Sequence, residues 1–221
     1  MPSDFTGWPF PRPKVLDGAT LTLEPLEPSH RNQLREAAAI DPSIWTYFPK
    51  QFNGAGDNFD PWFDASLRRS EAAEHYPFAV RRKADAKIIG TTRYYDMAAI
   101  HRRLAIGSTW YVPEARGSLV NFEVRLLTLM HAFEVWSVNR VELITDPRNL
   151  SSRAAMKLLG AKQEGIIRNH LIYEDGRVRD SILFSIVCNE WINVRQRLVN
   201  RLDGYPPIAK PFRPKGSGVR E

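Results

Sequence analysis

The sequence has very little cysteine and no long hydrophobic run. Cys188 is its only cysteine, which excludes an internal disulfide and a cysteine-rich zinc site. No apolar stretch approaches the roughly 18 residues that a membrane-spanning helix needs. The first residues, MPSDFTGWPFPRPK, lack the basic and then apolar order of a signal peptide. We therefore expect a cytoplasmic protein without a membrane partner.

What remains is the composition of an ordinary globular protein with a mild positive charge. Apolar residues make up 43% of the 221 residues, which excludes the disordered and low-complexity classes. The formal net charge is +6, and the proline-rich tail at residues 205–221 supplies half of it. Such a tail either is solvated or contacts an acidic partner. Because it lacks the aromatic motifs of nucleic-acid binding proteins, we expect no nucleic-acid partner.

Hydrophobic patterns divide the chain into short elements. Strands are predicted where apolar residues alternate, and helices where they recur every three or four positions. Ser29 is predicted to cap the first helix, Pro42 to stop it and Gly160 to end a later one. Asp175 and Gly176 are typical of a two-residue hairpin turn. The predicted strands are residues 20–26, 75–83, 87–95, 101–112, 140–146 and the two flanking the hairpin, and the predicted helices are 30–40, 59–74, 121–136, 151–160 and 190–202.

The order of these elements predicts an α/β (α+β) architecture. Between residues 101 and 188 a strand, helix, strand, helix and two further strands follow one another. This order predicts a mixed sheet, parallel at one crossover and antiparallel at both ends. We expect an extended arm over residues 1–18, one domain over 19–204 and the basic tail over 205–221.

A junction between a strand and a helix carries the chemistry. The strand ends at Val112, the loop contains Arg116 and Gly117, and the helix begins near Asn121. The first amides of a helix lack internal partners and carry partial positive charge, so such a junction binds anions. The residues alone leave open whether this junction binds an anion or is a simple turn.

Three stretches in order resemble the GNAT acetyltransferases, and within them the RimJ/RimL-like branch. Residues 116–124, RGSLVNFEV, match the family loop Gln/Arg-Gly-x-Gly-x-Ala/Asn-x-Glu-Ala. Residues 146–152, DPRNLSS, match the family pattern Asp-x-x-Asn-x-x-Ser. The family continuation Leu-Gly-Ala, Glu-Gly and Arg is present from Leu159 to Arg168. The resemblance covers roughly residues 20–190.

The resemblance implies a GNAT fold with acetyl-CoA as cosubstrate and no metal. In this fold a mixed, mostly antiparallel sheet is flanked by helices, and its central parallel strand pair splays apart. Asn149 would bind the pantetheine arm and Ser152 would protonate the departing thiolate, although both residues also suit helix capping alone. The implied catalytic residues are Ser152 and Asn149, and the implied cofactor-binding residues are Trp110, Tyr111, Val112, Arg116, Gly117, Ser118, Leu119, Val120, Asn121, Asn149 and Ser152.

Three positions depart from the family pattern. Leu119 replaces the second glycine of the loop, and Met156 replaces a frequent tyrosine. Ala105 stands where an acidic residue is often found, so a common candidate for the general base is missing. Glu123 is interpreted as a first-turn carboxylate that favours the helix dipole. The remaining candidates for the base are Tyr94, Tyr95, Asp96, His170, Tyr173 and Asp180.

The sequence therefore predicts an N-acetyltransferase that transfers an acetyl group to a primary amine by direct attack on the thioester. The acceptor is either a protein N-terminus or a small amine. The alternative is a degenerate GNAT domain that binds acyl-CoA or a partner without turnover. A third hypothesis is that the basic tail makes the protein a nucleic-acid accessory protein. The aromatic stretch 43–63 occupies the usual place of the acceptor wall, although most of its aromatics are expected in the core. Open sheet edges make a homodimer a further expectation.

Overall fold

Alternating and β-branched stretches form the centre of the molecule. The structure is a computed structural model, which describes residues 10–49, 53–173 and 175–203. Within these residues eight strands form one sheet, in the order β1-β2-β3-β4-β5-β6-β8-β7. The strands are β1 (Leu16–Asp17), β2 (Leu21–Pro25), β3 (Tyr76–Arg82), β4 (Ile88–Ala98), β5 (Arg103–Tyr111), β6 (Arg140–Thr145), β7 (Lys162–Ile172) and β8 (Val178–Val187).

Helices cover both faces of this sheet. On β4, Tyr94 donates a hydrogen bond of 2.7 Å to the Thr128 carbonyl of helix α3 (Val120–Met130). Trp110 of β5 instead contacts Trp45, with ring centroids 5.4 Å apart, on the side of helix α2 (Phe59–Glu71). The α-helices among the described residues are α1 (Arg31–Ala39), α2 (Phe59–Glu71), α3 (Val120–Met130), α4 (Leu150–Leu159) and α5 (Trp191–Arg201).

Strands β5 and β6 are parallel and separate after a short contact. Their register pairs Arg103 with Arg140 and ends where Ala105 lies opposite Glu142. Every other pairing in the described sheet is antiparallel. The expected fold class, a mostly antiparallel sheet with one splayed parallel pair, is therefore confirmed.

Most predicted elements are confirmed within one or two residues, and three local predictions are wrong. Ser29 does not cap α1, because Pro28 starts a 3-10 turn over Pro28–His30 and the His30 ring accepts the Glu27 amide at 3.0 Å. The helix predicted over 121–136 is an α-helix (α3) only as far as Met130, and it continues as a single π turn, His131–Val135.

The hairpin between β7 and β8 is longer than the Asp175-Gly176 pair indicates. The Tyr173 amide donates to the Arg177 carbonyl at 2.9 Å, so three residues and not two separate the closing pair. Gly176 adopts a φ of +80°, which is the left-handed conformation that the turn requires.

The described part of the predicted arm packs on the sheet. Strand β1 pairs with β2. Phe10 is buried, and its carbonyl accepts the Tyr76 hydroxyl at 2.7 Å. Residues 1–9 of the arm and the whole tail at 205–221 lie outside the described residues.

Candidate active site

The separation of β5 from β6 opens a cleft of about 1200 Å³. Its walls also include the N-terminal ends of α3 and α4 and the segment 43–49. Eight of the eleven residues that the resemblance implied line this cleft: Trp110, Tyr111, Arg116, Gly117, Ser118, Asn121, Asn149 and Ser152. Val112, Leu119 and Val120 do not appear among the lining residues, since Val112 and Val120 are buried and Leu119 packs against the core.

A β-bulge shapes β5 where the cleft begins. Between the pairs Thr91–Trp110 and Arg93–Gly107, two residues of β5 oppose one residue of β4, and Ser108 adopts a φ of +47°. A Cβ atom at Gly107 would lie 2.9 Å from the Tyr95 ring, so only glycine permits this approach. The bulge and the glycine therefore set the course of β5 along the gap.

The peptide that follows Tyr111 directs a carbonyl into the gap. The Val112 amide donates to the Ile89 carbonyl of β4 at 2.9 Å. In a trans peptide the carbonyl points the opposite way, so the Tyr111 oxygen faces away from β4. Arg116 Nε donates to this oxygen at 2.9 Å, and Arg116 Nη1 donates to Asp41 at 2.6 Å. Hydrogen bonds from Ser43 and Arg116 lower the pKa of Asp41 to about 2.

The loop between β5 and α3 presents unpaired amides. Gly117 adopts a φ of +68°, and no atom lies within 4 Å of the position that a Cβ would take. The amides of Gly117, Ser118 and Leu119 have no acceptor among the described residues. Ser118 Oγ donates to the Ala115 carbonyl at 2.7 Å and accepts the Val120 amide at 3.2 Å. The arrangement can receive an anion without displacing a side chain.

Leu119 does not strain this loop. Its φ of −73° and ψ of −9° are helical, and it serves as the first residue before α3. Its carbonyl accepts the Glu123 amide at 3.0 Å. Position 119 therefore does not need the left-handed conformation that a second glycine would permit. The left-handed residue of this loop is Gly117.

The start of α4 combines capping with access to the cleft. Asn149 Oδ1 accepts the Ser152 amide at 3.0 Å and the Ser151 hydroxyl at 2.9 Å. Asn149 is thus the N-cap of α4, as the capping interpretation predicts. Ser152 and Met156 lie one turn apart, and both line the cleft. Capping occupies Asn149 Oδ1, whereas no hydrogen bond joins Ser152 Oγ to the described residues.

Three of the six candidates for a general base line the cleft. These are Tyr95, Asp96 and His170, and His170 Nδ1 lies 2.9 Å from Ser181 Oγ. Burial raises the pKa of Tyr95, so its hydroxyl stays protonated. Tyr94 is bound to the Thr128 carbonyl on the opposite side of β4. Tyr173 and Asp180 are not among the lining residues.

Sequence reasoning missed a set of basic residues in the same cleft. Arg93, Arg125 and Arg179 are each less than 9% exposed, and all line the cleft together with His75. Burial, with a contribution from the charge of Arg93, lowers the pKa of His75 to about 4, so this ring is neutral. Arg93 and Arg125 could have been found in the sequence, because each is a single arginine in an otherwise apolar or uncharged run. These runs are IIGTTRYY for Arg93 and VRLLTLM for Arg125.

The aromatic stretch 43–63 divides between the core and the cleft. Trp45, Phe59, Trp62 and Phe63 are buried, as expected for most of its aromatics. Tyr47 and Phe48 line the cleft with Ile44. The Tyr47 hydroxyl donates to the Arg148 carbonyl at 3.3 Å, which joins this segment to the start of α4. Phe52 lies outside the described residues.

Residues 10–49, 53–173 and 175–203 contain no group of three or more His, Cys, Asp or Glu side chains that could hold a metal ion. None of the helices in the same ranges has the length and apolar character needed to cross a bilayer.

Comparisons with known proteins agree with this geometry. The chain is 26% identical over 110 residues to the uncharacterized N-acetyltransferase YoaA of Bacillus subtilis strain 168, a stretch covering 50% of this chain and 61% of that protein. The probable N-acetyltransferase YjcK of the same strain is 26% identical over 114 residues, which cover 50% of this chain and 63% of that protein. The chain thus spans less than two thirds of these curated relatives.

Solved structures match over most of the chain. A GCN5-related N-acetyltransferase from Brucella melitensis is 28% identical and superposes with a TM-score of 0.78, covering 88% of this chain and 89% of that one. Mycobacterium smegmatis RimJ in complex with CoA-disulfide shares the fold at 19% identity and a TM-score of 0.72, with 86% and 95% coverage. The family model described as acetyltransferase (GNAT) domain matches residues 20–162, more than half of the sequence. This match, together with the splayed strand pair, shows that the chain belongs to the GNAT acetyltransferase family.

Proposed function

We propose that the protein is an acetyl-CoA-dependent N-acetyltransferase that acts on a primary amine. The observation that carries the proposal is the gap between β5 and β6 beyond Ala105, beside the unpaired amides of the loop at 117–119. The curated relatives bear N-acetyltransferase names, and the related RimJ structure holds CoA-disulfide. A long ligand with a diphosphate at one end and a thioester at the other fits both features.

The loop residues would hold the diphosphate of acetyl-CoA. The amides of Gly117, Ser118 and Leu119 would donate to phosphate oxygens, and the start of α3 adds partial positive charge. Leu119 contributes its backbone only, because its side chain packs against the core. Arg116 supports the site through the Tyr111 carbonyl as well as by its charge.

The edge of β5 would hold the pantetheine arm in the manner of an added strand. In an extended strand the amide and carbonyl of one residue point the same way, so the Tyr111 amide also faces the gap. The Val112 amide is already bound by Ile89, which leaves Tyr111 as the backbone donor there. Asn149 would reach the arm with its side-chain amide. The Tyr111 amide would also stabilise negative charge on the thioester oxygen.

The transfer step follows from this placement. The amine nitrogen attacks the thioester carbonyl carbon, a C–N bond forms and the C–S bond breaks. The Ser152 hydroxyl would protonate the departing thiolate, since it lines the cleft and its oxygen has no partner among the described residues. The serine oxygen would then recover a proton from solvent water. The proton lost by the amine requires a base, and Ala105 cannot supply one.

Asp96 is the proton acceptor that we assign. Between the pairs Tyr95–Ala105 and Ala98–Arg103, two residues of β4 oppose one of β5, and Asp96 there adopts a φ of +48°. Such bulges redirect side chains near active sites, and aspartate tolerates this conformation. Asp96 lines the cleft beside the position of Ala105. Partial desolvation raises its pKa, although the charge of Arg103 opposes the shift.

The test is calorimetric titration with acetyl-CoA followed by thiol release with a panel of amines. Arg116→Ala should weaken acetyl-CoA binding about tenfold, since it removes the cation and the support of Tyr111. Asp41→Asn, which removes only the ion pair of Arg116, serves as the matched control and should change the affinity less than threefold. Unchanged affinity in Arg116→Ala contradicts the placement of the diphosphate.

The other outcomes separate the alternatives. Binding of acetyl-CoA without thiol release from any amine supports the degenerate domain. Salt-sensitive retention on RNA that is lost on deleting residues 205–221 supports a nucleic-acid accessory role instead. The proposal also includes an arm at 1–18, a catalytic domain at 19–204 and a tail at 205–221. It places the protein in the RimJ/RimL-like branch, as a homodimer in the cytoplasm.

A further inference from the structure

Arg125 is a buried cation for which the described ranges supply no anionic partner. It lies on α3, is 8% exposed and lines the cleft. Its Nη2 donates to Thr109 Oγ1 at 3.3 Å. Its Nη1 has no hydrogen-bond partner in the described parts of the chain, where the guanidinium also forms no ion pair. The cleft wall therefore contains an uncompensated positive charge.

The surroundings of Arg125 do not neutralise it. The acidic groups that interact with its charge are the phenols of Tyr95 and Tyr111, and burial raises the pKa of both, so they stay uncharged. Arginine itself keeps its proton in proteins. An unpaired buried charge destabilises a fold by several kcal/mol in general, and this cost is reduced when a ligand brings the counter-charge. No anion among the described residues neutralises this charge, so a ligand is the source that we consider.

The charge balance of the whole cleft points the same way. Among the described lining residues, four arginines (93, 116, 125 and 179) face two carboxylates, Asp96 and Asp146. Asp146 is shared by three cations, with distances of 3.0 Å to Arg148, 3.8 Å to Arg177 and 3.7 Å to Arg179. Arg116 is paired with Asp41. The net charge that remains repels cationic ligands and attracts anionic ones.

Arg125 lies away from the loop assigned to the diphosphate. It is six residues beyond Leu119, which corresponds to about 9 Å along a helix axis. Its guanidinium points to Thr109 on β5, next to the strand edge that would hold the thioester end. The phosphates therefore do not account for its charge, and the pantetheine arm is neutral. The acceptor is the remaining source of an anion.

We propose that Arg125 binds a carboxylate of the acceptor, so that the substrate class is an amino acid or a similar amine that carries an acidic group near the nitrogen. The inference rests on the proposed function, because it identifies the second substrate of the same cleft. It disfavours polyamines and uncharged amines. It also gives the positive cleft a role, since cations near a bound ammonium lower its pKa and favour the reactive neutral amine.

The test uses free amino acids and the corresponding amino acid amides, matched in side chain. Each pair is titrated into the CoA-loaded protein, which cannot turn over, and is separately offered with acetyl-CoA for thiol release. We expect the acid of the best pair to bind at least tenfold more tightly than its amide. Arg125→Met should reduce this ratio to about one, while the Kd for acetyl-CoA changes less than threefold and Arg125→Lys retains part of the preference.

Two controls keep the test decisive. Arg68→Met replaces an exposed arginine on α2 and should leave the ratio unchanged. Arg125→Met should leave the urea midpoint of the free protein unchanged or raise it, because an unpaired charge is removed. If Arg125→Met does not fold, the ratio of acid affinity to amide affinity is compared between the wild type and Arg125→Lys. An equal ratio in both overturns the proposal.

The outcomes also separate this inference from the proposed function. Amides or diamines that bind as tightly as the acids, or no detectable binding of any acid, overturn the carboxylate site. Acids that bind through Arg125 without thiol release support the site and contradict acetyl transfer. Thiol release at equal rates from acids and amides supports acetyl transfer and contradicts the site.

Discussion

At the scale of single residues, the proposed general base, Asp96, takes over from the acid that is missing at position 105. Ala105 is completely buried and carries no acid. Its partner on β4 is Tyr95, and the next residue, Asp96, is exposed, lies in a bulge at a φ of +48° and lines the cleft. A carboxylate thus reaches the same cleft from the neighbouring strand. The conformation costs little at aspartate, whose side chain tolerates the left-handed region.

We expect Asp96→Asn to lower kcat about 100-fold, because general base catalysis typically contributes 100-fold or more. The Kd for acetyl-CoA should stay within threefold of the wild-type value. The carboxylate is active when deprotonated and its pKa is raised, so wild-type kcat/KM should fall as the pH falls through that raised pKa. The variant should lose this acidic limb, which a pH series of initial rates measures.

The exposed Asp57→Asn is the matched control for this change and should leave both kcat and the pH profile unaltered. If Asp96→Asn keeps the acidic limb, another group accepts the proton of the amine. His170, which lines the same cleft, is then the next candidate.

At the scale of elements, a glutamate fastens helix α3 to the sheet. Glu123 is fully buried and accepts hydrogen bonds from the Thr20 amide at 2.8 Å and from the Thr20 hydroxyl. A Cβ at Gly18 would lie 2.3 Å from Glu123 Oε1, so this close approach requires glycine. The interpretation of Glu123 as a carboxylate for the helix dipole was therefore incomplete. Its contacts fix the helix whose first turn forms the loop site.

We expect Glu123→Ala to lower the free energy of unfolding by about 3 kcal/mol, because two donors at Thr20 lose a charged acceptor. Urea denaturation measures the loss. Glu36→Ala, at an exposed position of α1, should change the free energy by less than about 0.5 kcal/mol. An equally small loss at Glu123 would show that water replaces the carboxylate without cost.

At the scale of the whole molecule, a half-buried histidine packs against the aromatic rings of the core. His131 lies between Tyr94 and Trp136, with ring centroids 6.3 Å and 4.5 Å away. Its Nε2 is buried and has no hydrogen-bond partner among the described residues. Burial lowers the pKa of His131 from 6.5 to about 4. The unfolded chain therefore binds more protons than the folded one between these two values.

The stability of the fold should depend on pH in this window. Its contribution is complete above pH 6.5 and is lost as the pH falls towards 4, because the folded pKa lies below the unfolded one. This difference between the folded and unfolded pKa lowers the free energy of unfolding at pH 4 by about 3 kcal/mol. Urea midpoints measured from pH 8 to pH 4 test it, and His131→Phe should flatten the curve. An unchanged slope in the variant would assign the dependence to other groups, such as His75.

Much of the architecture could be predicted because its signals are local. Asn149 caps α4 and Gly160 ends it at a φ of +93°, and both roles depend on residues within one turn. The π turn after Met130 was not predicted, because its helical hydrophobic spacing is the same as that of α3. The edge strand β1 was also missed, since two residues are too few for a pattern.

By itself, the sequence determined the order of the elements, the positions of their caps and the family motifs, since each depends on residues close together in the chain. Only the tertiary structure decided where β5 and β6 part, that Leu119 turns to the core and that Arg125 has no anion among the described residues. These features depend on which distant segments meet. Burial and charge balance are sums over such neighbours, and residue types along a chain do not specify them.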